Sequence, residues 1–108
     1  MSVYLMRFSY TPEAWSRLIQ NPEDSSDAAR AYFEQVGGSL QGFWYGFGEY
    51  DGYIIFEAPD NASAAGVVLA IAAGGALAKV ETTLLMTVEE TLEALAKGKG
   101  IRYRRPGE

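Results

Sequence analysis

The chain has 108 residues, 48% hydrophobic and 21% charged, which is the make-up of one globular domain with a modest core and not of a disordered segment. It contains no cysteine and no histidine, which excludes disulfides, thiolate nucleophiles, sulfur- or imidazole-ligated metals and an imidazole base. The formal charge of −5 is unevenly spread: residues 1–96 carry four basic and thirteen acidic side chains, and residues 97–108 carry five basic and one acidic.

The acidic body argues against nucleic acid as a main partner, because it would repel a phosphate backbone. The basic end reads as a tail that docks on an acidic surface, its own or a neighbouring subunit's. Met1–Arg7 shows no basic region leading into a long apolar run, so no signal peptide is expected and the cytoplasm is the expected compartment. Asn61–Ala78 carries no charge and approaches the length of a membrane span. It is mostly Ala and Gly, and Gly74-Gly75 interrupts it, so a buried helix is expected there and no membrane partner.

Along the chain, Val3–Tyr10 has no breaker and reads as a strand. Thr11-Pro12 then supplies an N-cap and a proline at the first helical position. Ala14, Trp15, Leu18 and Ile19 recur at helical spacing up to Asn21-Pro22. A second helix is expected from about Ser26-Asp27, with Ala28, Ala31, Tyr32 and Val36 as its inner stripe and Gly37-Gly38 as its stop. Two strands follow, over 39–48 and 52–58, joined through Gly48-Glu49-Tyr50-Asp51-Gly52 as a hairpin. Asp60 caps a helix over 61–73, residues 79–88 return as a strand, and 89–96 form a short amphipathic helix with Leu92 and Leu95 on one face.

The order β-α(α)-β-β-α-β-α is that of an α+β fold of the ferredoxin-like, split βαβ kind, an antiparallel sheet with helices on one face. Residues 1–96 are expected to form this single domain and residues 97–108 the basic C-terminal tail. Both faces of the strands are largely apolar: Ile54 and Phe56 alternate with Tyr53 and Ile55, and Val80, Leu84 and Met86 with Leu85 and two threonines. A sheet left open on one side should present a polar face. Covering the second face contributes about 1.5–3 kcal/mol per large apolar side chain. A second copy packed sheet to sheet meets that need, so a homodimer, or a higher oligomer, is expected. The uncharged helix, with Val67, Val68, Leu69 and Ile71 around its circumference, either makes further contacts of this kind or leaves small alanines in water.

Several motifs then carry a resemblance. Tyr10-Thr11-Pro12-Glu13 follows the first strand, Gly37-Gly38 precedes the second, and Gly42-Phe43 lies within it. Gly48-Glu49-Tyr50-Asp51 sits at the hairpin, Glu57-Ala58-Pro59-Asp60 opens the Ala-rich helix, and Glu81-Thr82 lies in the last strand. Together, over roughly residues 3–90, they resemble the GYD domain family of the dimeric α/β-barrel group. The resemblance implies two subunits whose sheets face each other and enclose a cavity. Related groups include metal-free monooxygenases, haem enzymes, and isomerases or decarboxylases; the histidine that the haem branch often uses is missing, and histidine-based isomerisation and decarboxylation fall with it.

Alternation places Leu5, Arg7 and Ser9 on one strand face, Asp51, Tyr53 and Glu57 on another, Trp44 and Gly46 on a third, and Glu81, Thr83 and Thr87 on the last. These polar-bearing faces are expected to line the cavity, and the purely apolar ones to pack under the helices. Arg7 is a candidate anchor for an anion or carbonyl, or else the partner of Glu81 or Glu57 in an ion pair. Glu57 or Glu81, if desolvated, could act as a general base. Trp44 and Tyr53 could wall a flat ligand, or simply pack the sheet. Tyr50 and Asp51 join the pocket, or Asp51 serves the turn before Gly52. No phosphate loop is present. Asp51 and Glu57 lie about 20 Å apart along an extended strand, so no metal site and no cofactor are expected.

Three functions fit these residues: a homo-oligomeric module binding a small organic molecule in a sheet-lined cavity, a cofactor-free, monooxygenase-like enzyme, and a purely structural oligomerisation module.

Overall fold

A computed structural model describes residues 1–108, and its elements follow the expected order. They are β1 (Ser2–Tyr10), α1 (Pro12–Gln20), α2 (Ser25–Glu34), β2 (Ser39–Tyr45), β3 (Gly52–Ala58), α3 (Asn61–Ala73), β4 (Leu77–Leu85) and α4 (Val88–Lys99). The four strands form one open antiparallel sheet in the order β2-β3-β1-β4. The result is an α+β architecture consistent with a ferredoxin-like fold. No helix is long and apolar enough to cross a membrane.

Strand alternation decides which face the helices cover. Tyr4, Met6 and Phe8 of β1 lie beside Ile54 and Phe56 of β3, and all are buried with Phe33 of α2 and Ala64 and Val67 of α3. The Phe33 and Phe56 rings stack at 4.2 Å, and Tyr4 stacks on Phe56 at 5.1 Å. The Tyr4 hydroxyl still finds a partner, donating to Asn61 Oδ1 at 2.6 Å. Thus the apolar faces of β1 and β3 pack under the helices, whereas of the face expected on the last strand only Val80 is partly buried, and Leu84 and Met86 are exposed.

Local chemistry sets the boundaries. Thr11 Oγ1 accepts from Ala14 N at 3.1 Å and caps α1. Asp24 Oδ1 accepts from Ser26 N at 2.9 Å and starts α2 at Ser25, slightly earlier than expected. Helix α2 ends through Gly37, whose φ of +80° is open mainly to glycine.

Three expectations need correction. The inner stripe of α2 is Ala29, Phe33 and the partly buried Val36, while Ala28, Ala31 and Tyr32 remain exposed. Both stripes satisfy helical spacing, and burying the large Phe33 ring decides between them. Helix α3 is not buried all round: Ala64 and Val67 are buried, and Leu69 on the outer side is 67% exposed. Finally, β4 stops at Leu85 rather than Val88, because Thr87 becomes the N-cap of α4. Its Oγ1 accepts from Glu90 N at 3.0 Å, and Glu90 Oε1 accepts from Thr87 N at 3.0 Å. This capping box takes Thr87 out of the strand.

The radius of gyration is 17.6 Å, against about 13 Å expected for a compact chain of this length. The excess comes from the C-terminal end. Every residue from Glu81 onward is exposed, and α4 has no buried residue.

Candidate functional site

The segment between β2 and β3 is more than a turn. Ser9 Oγ donates to the Glu49 carbonyl at 2.9 Å, and Asp51 N donates to the Phe8 carbonyl at 2.8 Å, so the loop folds back over the end of β1. Asp51 precedes β3, and its carboxylate does not share the sheet face of Tyr53 and Glu57. Oδ2 accepts from Tyr10 N at 2.9 Å and from the Trp15 indole N–H at 3.1 Å. The side chain thus bonds neither its own turn nor the open face. It ties the hairpin to the corner where β1 passes into α1.

Tyr50 reaches the open face of the sheet. Its hydroxyl donates to Glu81 Oε2 at 2.6 Å, while Arg7 Nη2 donates to Glu81 Oε1 at 2.5 Å. The Arg7 guanidinium carbon and Lys79 Nζ each sit 4.6 Å from the centre of the Tyr50 ring, in cation–π contact. Glu49 approaches Lys79 at 3.5 Å. The Tyr50 hydroxyl and then the Arg7 guanidinium hold the Glu81 carboxyl below its ordinary range. The same bond to Glu81 pushes the Tyr50 phenol up, and Arg7 is raised as well. The ion-pair alternative for Arg7 is therefore the arrangement present, with Glu81 and not Glu57 as partner. The Nε of Arg7 is buried without an acceptor.

On this face Tyr53 lies 6.5 Å from Tyr50 and directly opposite Trp44. The Trp44 indole covers Gly42, where an added Cβ would fall 2.2 Å from the ring. Trp44 is 55% exposed. Arg7, Tyr50, Tyr53 and Glu81 thus come together, with Trp44 beside them. Glu57, opposite Val3 and Ser39, stands apart by about 13 Å along the strand. In a single chain these residues line an open surface and no enclosed cavity.

A half-open pocket lies on the other face. About 210 Å³ remains between sheet and helices, walled by Met6, Phe8, Phe43, Ile54, Ala29 and Ile71, with Tyr10, Glu23 and Ser25 as its polar groups. A wider apolar groove of about 470 Å³ runs between α2 and α3, sharing Tyr32, Ile71 and Ala76 with it. Beside the pocket Tyr10 packs edge-on against Phe8 at 5.2 Å and Trp15 at 5.0 Å, with its hydroxyl 3.4 Å from that of Tyr45. Burial, then the Tyr45 hydroxyl, pushes the Tyr10 phenol well above its ordinary range. It stays protonated at neutral pH, a hydrogen-bond donor and no base.

Sequence reasoning missed Tyr10, Phe8 and Phe43 as pocket residues. Their alternation with Tyr4 and Met6 was visible, but alternation reports which face is covered and not whether the packing is complete.

A search of curated proteins and of solved structures finds no match to the chain. The family model described as the GYD domain matches residues 4–95, from β1 into α4 and across the Tyr50-Asp51 hairpin. The chain belongs to the GYD domain family.

Proposed function

We propose that the chain works as a homodimer joined through its open sheet faces, in the manner of a dimeric α/β barrel, and that each subunit binds a small, largely apolar organic molecule between sheet and helices. Support for the dimer comes from the open face: Val3, Leu5, Tyr53 and Ile55 are only half-buried in one chain, and Trp44 and Leu85 are exposed. Arg7 and Lys79 pair there with Glu81 and Glu49, and Glu57 is one further charge on that face, with no ion pair within the chain.

The observation that carries the ligand is the pocket of about 210 Å³ bounded by core side chains. An apolar cavity of about 150 Å³ is enough to hold benzene, so a one- or two-ring molecule fits here. The Tyr10 phenol and the Ser25 hydroxyl offer it hydrogen bonds, and Glu23 is the one carboxylate along the lining. Neutral donors in an apolar space favour binding over catalysis.

Indole serves as the probe in a thermal-denaturation assay. Saturation at one hundred times Kd stabilises the folded state by about 2.7 kcal/mol, a shift of several degrees. The shift should shrink in Ala29→Leu, which fills the pocket, each variant being compared with its own ligand-free midpoint. If indole, phenol and naphthol at millimolar concentration all leave the wild-type midpoint unmoved, the binding role is wrong.

A further inference from the structure

We propose that the C-terminal arm, Met86–Glu108, docks on a second copy of this chain, with α4 lying in that copy's α2/α3 groove and the basic tail against its acidic α2. The inference rests on the dimer proposed above and adds a contribution of one subunit to the other's pocket.

Helix α4 is well specified yet has nothing to pack on. A capping box opens it, Glu89 and Glu90 stand in its first turn, and Lys97 and Lys99 in its last, each charge matched to the helix dipole. Val88, Leu92 and Leu95 are spaced i, i+4, i+7 and form one apolar stripe, exposed by 75%, 60% and 65%. A helix of 12 residues is marginal in water without tertiary packing. The arm's own body does not supply that packing, and the molecule is drawn out to 59 Å along its longest axis. The apolar run continues past the helix with Ile101 and Tyr103, also exposed.

The α2/α3 groove has the complementary character. Val36, Val67, Ala70 and Ile71 line it, and Glu23, Asp24, Asp27 and Glu34 stand along α2 and its approach against the single cation Arg30. On the arm, Lys99 and Arg102 form no ion pair within the chain. Apolar stripe and cations therefore follow one another in the arm as groove and carboxylates do on α2. Because the groove shares Tyr32, Ile71 and Ala76 with the inner pocket, a docked α4 closes that pocket's open side, and the site is complete only when a partner's arm is in place.

The absence of native cysteine lets two introduced thiols report contact without background. Full-length chains carrying Leu95→Cys are mixed with size-tagged full-length chains carrying Ala70→Cys under mild oxidation; both positions are exposed, so folding is not at stake. The expected product is a mixed disulfide dimer, formed several-fold more slowly when the first chain also carries Leu92→Asp. A disulfide that forms only within a doubly substituted chain overturns the inference, since the arm then covers its own groove. Absence of any disulfide in both arrangements overturns it as well. Sedimentation of the unsubstituted chain tells the two failures apart: a dimer without the cross-link removes the arm alone, and a monomer removes the dimer beneath it.

Discussion

The Asp51 carboxylate accepts the indole N–H of Trp15 at 3.1 Å and the backbone N–H of Tyr10 at 2.9 Å, with the same oxygen. One side chain of the β2–β3 loop thus holds the hairpin, the end of β1 and α1 together. Its neighbour Tyr50 bonds Glu81 of β4. Together the two side chains form a latch, Asp51 to the β1–α1 corner and Tyr50 to β4.

Asp51→Ala should lower stability by about 1–3 kcal/mol, because it leaves two donors without their acceptor. Asp51→Asn keeps an acceptor oxygen and should lose less. Urea denaturation followed by tryptophan fluorescence measures both; equal stability of wild type and Asp51→Ala would rule out the latch.

Gly52 stands opposite Phe8, and a Cβ added there would fall 2.1 Å from the Phe8 ring. That ring is 3% exposed, so it must shift toward the pocket it lines and disturb the packing around it. Gly52→Ala should therefore cost about 1–3 kcal/mol by overpacking. A midpoint within experimental error of wild type would show that the core yields there.

The Glu81 carboxyl titrates below its ordinary value of 4.5 when folded. Its contribution is therefore present above pH 4.5 and is lost as the pH falls through the lower folded value. The Tyr50 phenol is raised above 10.0, so its contribution persists below pH 10.0 and disappears as the pH climbs through the raised value. Denaturation midpoints measured between pH 3 and 7 should fall more steeply for wild type than for Glu81→Gln. Parallel curves would mean that the Arg7–Glu81–Tyr50 cluster contributes nothing to folding.

The Tyr10 phenol, buried and bonded to Tyr45, should be among the last of the seven tyrosines to ionise. In an alkaline absorbance titration, Tyr10→Phe should leave the amplitude gained near pH 10 unchanged and remove amplitude only above it. A loss near pH 10 would place Tyr10 in water.

The order of elements was legible because Thr11-Pro12, Gly37-Gly38 and Asp60 punctuate the chain with local chemistry. Strand faces were legible from alternation, which put Arg7 with Glu81 and Trp44 with Tyr53. The inner side of α2 was not, because Ala28–Tyr32 and Ala29–Phe33 offer stripes of equal spacing and only packing chooses between them. Nor was the reach of Asp51, since a side chain before Gly52 can bond its own turn or, as it does, the β1–α1 corner. The pocket beside Tyr10 depends on volume left unfilled, which no periodicity records.

The proposed dimer covers the open face around Leu5, Tyr53 and Trp44 with a second copy. Sedimentation velocity of the unsubstituted chain and of Leu5→Asp, over a range of concentrations, tests it most directly. A dimer is expected for the first and a folded monomer for the second. A wild-type chain that stays monomeric at high concentration, or a Leu5→Asp chain that dimerises as well as wild type, would contradict it.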